Sequence, residues 1–277
     1  MRIDAHQHFW DLDRLPYPWM PPGDSILKQN FLPEDLKAKY ERHRFDGSVV
    51  VQATTVDAEA MWLLHLADQH DFIKGVVAWV DLASPDLPRV LDRLQMHPRF
   101  CGVRHPVHDE ADDRWLLRPE VLGGLRELAR RDIPYDLLFR PQHLPLLPQL
   151  ASEVPGLRMV LDHIAKPRIA EGLLEPWARD MEIASEIPGL HVKLSGMITE
   201  ARVPGWTAED LKPYVAHVMR LFPPDRLMYG SDWPVCLLAG SYKAVLAAFT
   251  QAIGAQPQPV RDAILGETAV RFYGLKR

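Results

Sequence analysis

Gly47-Ser48-Val49-Val50-Val51-Gln52-Ala53 is a short apolar, β-branched run, and in the segment that follows Ala60, Leu63, Leu64 and Ala67 recur at i, i+3, i+4 and i+7. The first segment predicts a strand buried on both faces. The second, over residues 57–69, predicts a helix that lays one apolar stripe on that strand. Working outward, comparable apolar runs fall at residues 2–6, 47–53, 75–80, 101–105, 133–138, 158–163, 191–195 and 226–230, with helical spacing between them. Pro33-Glu34-Asp35 places proline and acids at a first helical turn, and Thr207-Ala208-Glu209-Asp210 reads as a capping box. Eight strand-helix units predict an α/β fold, a single (β/α)8 TIM barrel over residues 1–277, with residues 257–277 as extra C-terminal helix closing or covering it. A doubly wound sheet would show fewer strands and a glycine-rich phosphate loop; neither GxGxxG nor GxxxxGK[ST] occurs.

Composition narrows the partners. The chain carries 32 Lys and Arg against 37 Asp and Glu, a net charge of −5, with no basic run to track a phosphate backbone, so nucleic acid is not expected. No stretch reaches the roughly 18 apolar residues of a membrane span, and the N-terminus leads into no signal-peptide core, so membrane association is not expected and the location is read as cytoplasmic. Cys101 and Cys236 form no CxxC or CxxH pattern, and read as small packed side chains. The 25 prolines in 277 residues are nearly twice the usual share of roughly 5%, which predicts rigid loops and sharply ended helices. The oligomeric state is left open.

In such a barrel the C-terminal strand ends build the active site. The first strand runs Ile3-Asp4-Ala5-His6-Gln7-His8, and residues two apart share a side, so His6 and His8 aim together. That pair suits a divalent metal or a polarised carbonyl oxygen; two histidines satisfied by backbone partners would read the same way. The sixth strand ends in Asp162-His163 and the eighth leads into Ser231-Asp232. His6, His8, His163 and Asp232 are therefore expected to converge on one pocket mouth. Ser195 in Leu194-Ser195-Gly196 is not a GxSxG nucleophile, and His65, His70, His97 and His143 read as surface or packing residues.

Asp4-Ala5-His6-Gln7-His8-Phe9-Trp10, Leu161-Asp162-His163-Ile164-Ala165-Lys166-Pro167 and Tyr229-Gly230-Ser231-Asp232-Trp233-Pro234 resemble three signature blocks of amidohydrolase-related proteins, in the sugar-lactonase branch of L-fuconolactonase-like and L-rhamnonolactonase-like enzymes. The resemblance implies a hydrolase that opens a sugar-derived aldonolactone, L-fucono-1,5-lactone-like, to its acid. It places His6, His8, His163 and Asp232 at the metal-pocket positions. The fuller dinuclear pattern adds a bridging lysine or glutamate and another downstream histidine. Here the middle strands offer Arg104, His105, Asp136, Lys193 and Ser195 instead. The resemblance thus implies at most one Zn²⁺ or other divalent metal, and a dispensable one.

For that reaction Asp232 is expected to act as general base, with His6, His8 and His163 holding the carbonyl or its oxyanion. Arg104, Trp10, Lys28, Lys166 and Trp233 are the expected substrate-binding residues for a small-molecule sugar lactone, the guanidinium as a forked donor and the indoles as an apolar wall. Asp136 and Arg140 are weaker candidates. The rival readings are a mononuclear Zn-dependent decarboxylase or amide hydrolase in the same barrel, and a noncatalytic barrel that binds a sugar acid.

Overall fold

The computed structural model describes residues 1–276. Each predicted run holds a strand: β1 (Ile3–Gln7), β2 (Gly47–Val51), β3 (Ile73–Ala78), β4 (Phe100–His105), β5 (Tyr135–Leu137), β6 (Met159–Leu161), β7 (His191–Leu194) and β8 (Leu227–Tyr229). Each pairs in parallel with the next in chain order. The ring is joined at its mouth, where Gln7 pairs in parallel with Trp233 and the His8 amide donates to the Trp233 carbonyl at 2.7 Å. Helices α1 (Pro33–His43), α2 (Asp57–Gln69), α3 (Leu87–Gln95), α4 (Pro119–Arg130), α5 (Leu147–Glu153), α6 (Trp177–Ser185), α7 (Ala208–Leu221) and α8 (Tyr242–Ile253) alternate with the strands. Proline opens α1, and α7 has the expected box, the Thr207 amide donating to Asp210 Oδ2 at 2.7 Å. None of the described helices is long and apolar enough to cross a membrane.

Strand alternation sorts the core into two shells. Val50, Val103, Tyr135, Leu137, Val192 and Leu194 face the helices, while Ile3, Ala5, Val49, Val51, Val77, Val160 and Met228 fill the barrel. The predicted tail helix is broken in two. Helix α9 (Gln258–Asp262) and helix α10 (Thr268–Tyr273) flank a π-helical turn at Ala263–Glu267, and the final residue of the expected tail, Arg277, lies outside the described residues. The break has a steric reason: a Cβ on Gly266 would sit 2.2 Å from the Met1 carbonyl oxygen, so the tail crosses beneath β1 only at a glycine. Phe272 and Tyr273 of α10 then join the interior shell and plug the end of the barrel remote from the mouth.

Candidate active site

The two N-terminal histidines reach the axis through a bulge. Asp4 pairs with Ser48 but Gln7 pairs with Val50, so β1 carries one extra residue there. Alternation changes phase: Ile3 and Ala5 face inward below the bulge, and His6 and His8 meet the axial cluster above it. Asp4, left facing outward, binds the Ser231 amide at 2.8 Å, the His6 amide at 3.3 Å and the Tyr40 hydroxyl at 3.1 Å. A buried carboxylate so used ties β1 to the segment that carries Asp232.

His163 stands on strained backbone. Residues 163–166 all have positive φ, from 47° at Ile164 to 58° at Ala165. A left-handed turn costs an L-residue about 1–2 kcal/mol per position, more for a β-branched side chain, and such strain concentrates at functional sites. The Trp177 indole holds it by donating to the Ile164 carbonyl at 2.7 Å. Ser195 lies 2.9 Å from His163 Nδ1 and directs Nε2 toward the cluster. Gly196 has a φ of +58°, and a Cβ there would lie 2.5 Å from His163 Nδ1, so this imidazole needs glycine beneath it.

The four expected residues meet. Asp232 Oδ1 lies 3.4 Å from His8 Nε2, 3.8 Å from His6 Nε2 and 3.9 Å from His163 Nε2, and all four side chains are buried. Burial pushes His6 well below the ordinary histidine value and His163 down to about 3, so both are neutral near pH 7. Burial alone would raise Asp232, but His163, His8 and His6 outweigh it and hold the carboxylate ionised. Beneath them runs a polar chain that the sequence reading did not assemble. His6 Nδ1 lies 3.3 Å from Asp162 and 3.2 Å from Lys193 Nζ; Lys193 also binds Asp162 at 3.0 Å and Asp136 at 2.5 Å. The Tyr273 hydroxyl donates to Asp136 at 2.8 Å. Burial disfavours the Lys193 cation, yet Asp136 and Asp162 raise its pKa; Asp136 itself is lifted by burial to about 6.

A cleft of about 1000 Å³ opens over this cluster. Among the expected binding residues, Arg104 and Lys166 line it. Arg104 donates to Asp162 Oδ2 at 3.1 Å, to the Gln52 carbonyl at 2.6 Å and toward His6 Nε2 at 3.3 Å; Lys166 pairs with Glu200 at 2.7 Å. Trp10, Trp233 and Lys28 do not line it. Trp10 is buried between Tyr17 and Phe31 and gives its indole N–H to the Gln29 carbonyl at 2.9 Å. Trp233 packs edge-on against Phe9 and Phe31, and Lys28 is exposed on the loop after β1. The aromatic wall comes instead from Trp19, Trp79 and Trp115, with His105 and Glu110 among them. Trp79 and His105 could have been found as strand-end residues; nothing in sequence spacing ties Trp19, Glu110 or Trp115 to the mouth.

The donor set suits a divalent ion. His6, His8 and Asp232 offer ligand atoms within 4.8 Å of one another, as do His6, Asp162 and His163. His8 Nδ1 lies 2.7 Å from the Val51 carbonyl, an acceptor, so with the ring proton on Nδ1 the Nε2 lone pair faces the Asp232 carboxylate. Two acceptors so placed call for a shared proton or a cation between them.

A parallel barrel with imidazoles and a carboxylate gathered at its strand ends defines a hydrolase-type active site. The chain belongs to the amidohydrolase family: the profile described as Amidohydrolase matches residues 3–275. It is 38% identical to an L-fucono-1,5-lactonase of Burkholderia ambifaria, with 100% of this chain and 96% of that one covered. An L-fucono-1,5-lactonase of Burkholderia multivorans is 34% identical over 99% of this chain and 96% of its own. Among solved structures, an amidohydrolase of Burkholderia multivorans with bound zinc is 34% identical, superposes with a TM-score of 0.92 and is covered completely by the match, as is this chain.

Proposed function

We propose that the chain is an enzyme that hydrolyses a sugar-derived aldonolactone of the L-fucono-1,5-lactone type. The observation that carries the reading is the buried Asp232 carboxylate within 4 Å of three imidazoles at the floor of an open cleft. The full-length likeness to two L-fucono-1,5-lactonases supports the choice of substrate class.

A lactone is an activated ester, so general base catalysis and carbonyl polarisation meet its demands. Asp232 takes a proton from water as the water oxygen bonds to the lactone carbonyl carbon. The Arg104 guanidinium, which can only donate, stabilises the oxyanion in surroundings where burial magnifies the interaction, while His6 and His8 turn Nε2 lone pairs on the cluster. Collapse breaks the bond to the ring oxygen, and Asp232 returns its proton to the departing alkoxide, leaving an open-chain hydroxy acid. His163, held by Ser195, fixes the carboxylate's stance. His6, His8, His163 and Asp232 would hold one divalent ion such as Zn²⁺, which supplies Lewis-acid polarisation of the carbonyl when bound. Two unpaired cysteines, Cys101 and Cys236, support a cytoplasmic setting.

The test is a pH-indicator screen across L- and D-aldonolactones, with and without chelator, since each ring opened releases one acid. Acid release from a six-membered aldonolactone is expected. A screen in which no aldonolactone is opened under either condition overturns the reading.

A further inference from the structure

The outer wall of the cleft holds a second hydrogen-bonded unit that the hydrolytic step leaves unused. His105 closes β4, Trp79 follows β3, and Glu110 and Trp115 lie in the segment after β4. The Trp79 indole N–H lies 3.0 Å from His105 Nδ1, and an indole only donates, so Nδ1 is the acceptor. His105 therefore carries its proton on Nε2 and gives it to Glu110 Oε1 at 2.7 Å. The imidazole is stacked on Trp115 with ring centroids 3.9 Å apart and planes 11° from parallel, so it cannot turn over. Each bond in the series thus has one polarity, and its open end is a carboxylate whose side chain is 31% exposed and lines the cleft. Among the described residues Glu110 has no ion-pair partner besides His105.

We propose that Glu110 is a specificity-determining residue that accepts a hydrogen bond from one hydroxyl of the lactone, in a stance set by Trp79 and Trp115 through His105. A carboxylate offers only acceptors, so the group it reads must be a donor; an aldonolactone presents several hydroxyls there, a plain lactone none. Asp81 and Asp109 line the same cleft, as do Arg140 and Lys166, so its charge is mixed and the choice of a hydroxyl follows from the acceptor-only chemistry of Glu110. The inference rests on the lactonase reading and names which part of the substrate is recognised.

The experiment is a double-mutant cycle in the full chain, pairing Glu110→Ala with mono-deoxy analogues of the aldonolactone that is opened fastest. For the wild-type enzyme, loss of one particular hydroxyl is expected to lower kcat/KM about tenfold, mostly through KM; for Glu110→Ala the same loss should cost less than twofold. Trp79→Phe, which leaves Glu110 in place but removes the hydrogen bond to His105 Nδ1, should reduce that coupling partway, and melting temperatures should stay close to wild type. If every deoxy analogue is penalised equally in the wild type and in Glu110→Ala, the specificity role is overturned while lactone hydrolysis stands. If the wild type opens no lactone, both readings fall together.

Discussion

The cleft has two walls built on different principles. The inner one is made of strand ends from β1, β6 and β8, and each of its side chains is fixed by backbone or buried partners: His8 by the Val51 carbonyl, His163 by Ser195 and glycine beneath it, His6 by Asp162 and Lys193. The outer wall comes from the end of β4 and from segments after β1, β3 and β4, and His105 there is held by stacking and by a carboxylate that water can reach. Rigid groups suit bond making, where a fraction of an ångström matters; a looser wall suits recognition. Changes on the inner wall should therefore strike kcat, and changes on the outer wall should strike KM.

The sharpest test is Asp232→Asn. Removing the base is expected to lower kcat about 10³-fold with KM nearly unchanged, measured by initial rates on the preferred lactone. A loss confined to KM would erase the contrast between the walls. Ser195→Ala removes only the group that orients His163. A fall in kcat of about tenfold, without a change in melting temperature, is the expected result. On the outer wall, Trp115→Ala should leave kcat within about twofold and raise KM roughly fourfold, because the stacking that steadies His105 is lost. An equal drop in kcat would assign Trp115 to the inner machinery.

A test on stability rather than rate concerns Glu59, near the start of α2, which accepts from the Ala53 and Thr54 amides at the cleft edge. Burial raises its pKa from 4.5 to about 8, against the pull of those amides. The unfolded chain then releases this proton near pH 4.5 while the folded chain keeps it, so the associated stability is full below pH 4.5 and is lost as pH rises toward 8. Relative to wild type, Glu59→Gln should gain stability steadily across that window in urea unfolding. A difference that stays constant with pH would show that Glu59 ionises as freely in the fold as outside it.

How much of this could be read from the chain alone follows the same division. Parallel strands buried on both faces write themselves as apolar runs, so all eight were legible, and the barrel's geometry brought His6, His8, His163 and Asp232 together from strand ends. The bulge in β1 left no mark, because only the pairing of Asp4 and Gln7 with β2 reveals the extra residue. Trp10 and Trp233 drew attention by their place beside the histidines, yet their rings pack in the interior, and proximity in sequence to a catalytic block does not decide on which side of the backbone a side chain falls. Glu110 and Trp115 acquire meaning only through tertiary contacts with His105.

Tyr273, the last residue of α10, ends a series of buried bonds that passes through Asp136 and Lys193 to His6. Strand β1 and helix α10 thus share one foundation. Synthesis has to pass α10 before the reaction centre gains its lower support, so a chain cut ahead of Tyr273 is expected to lose activity.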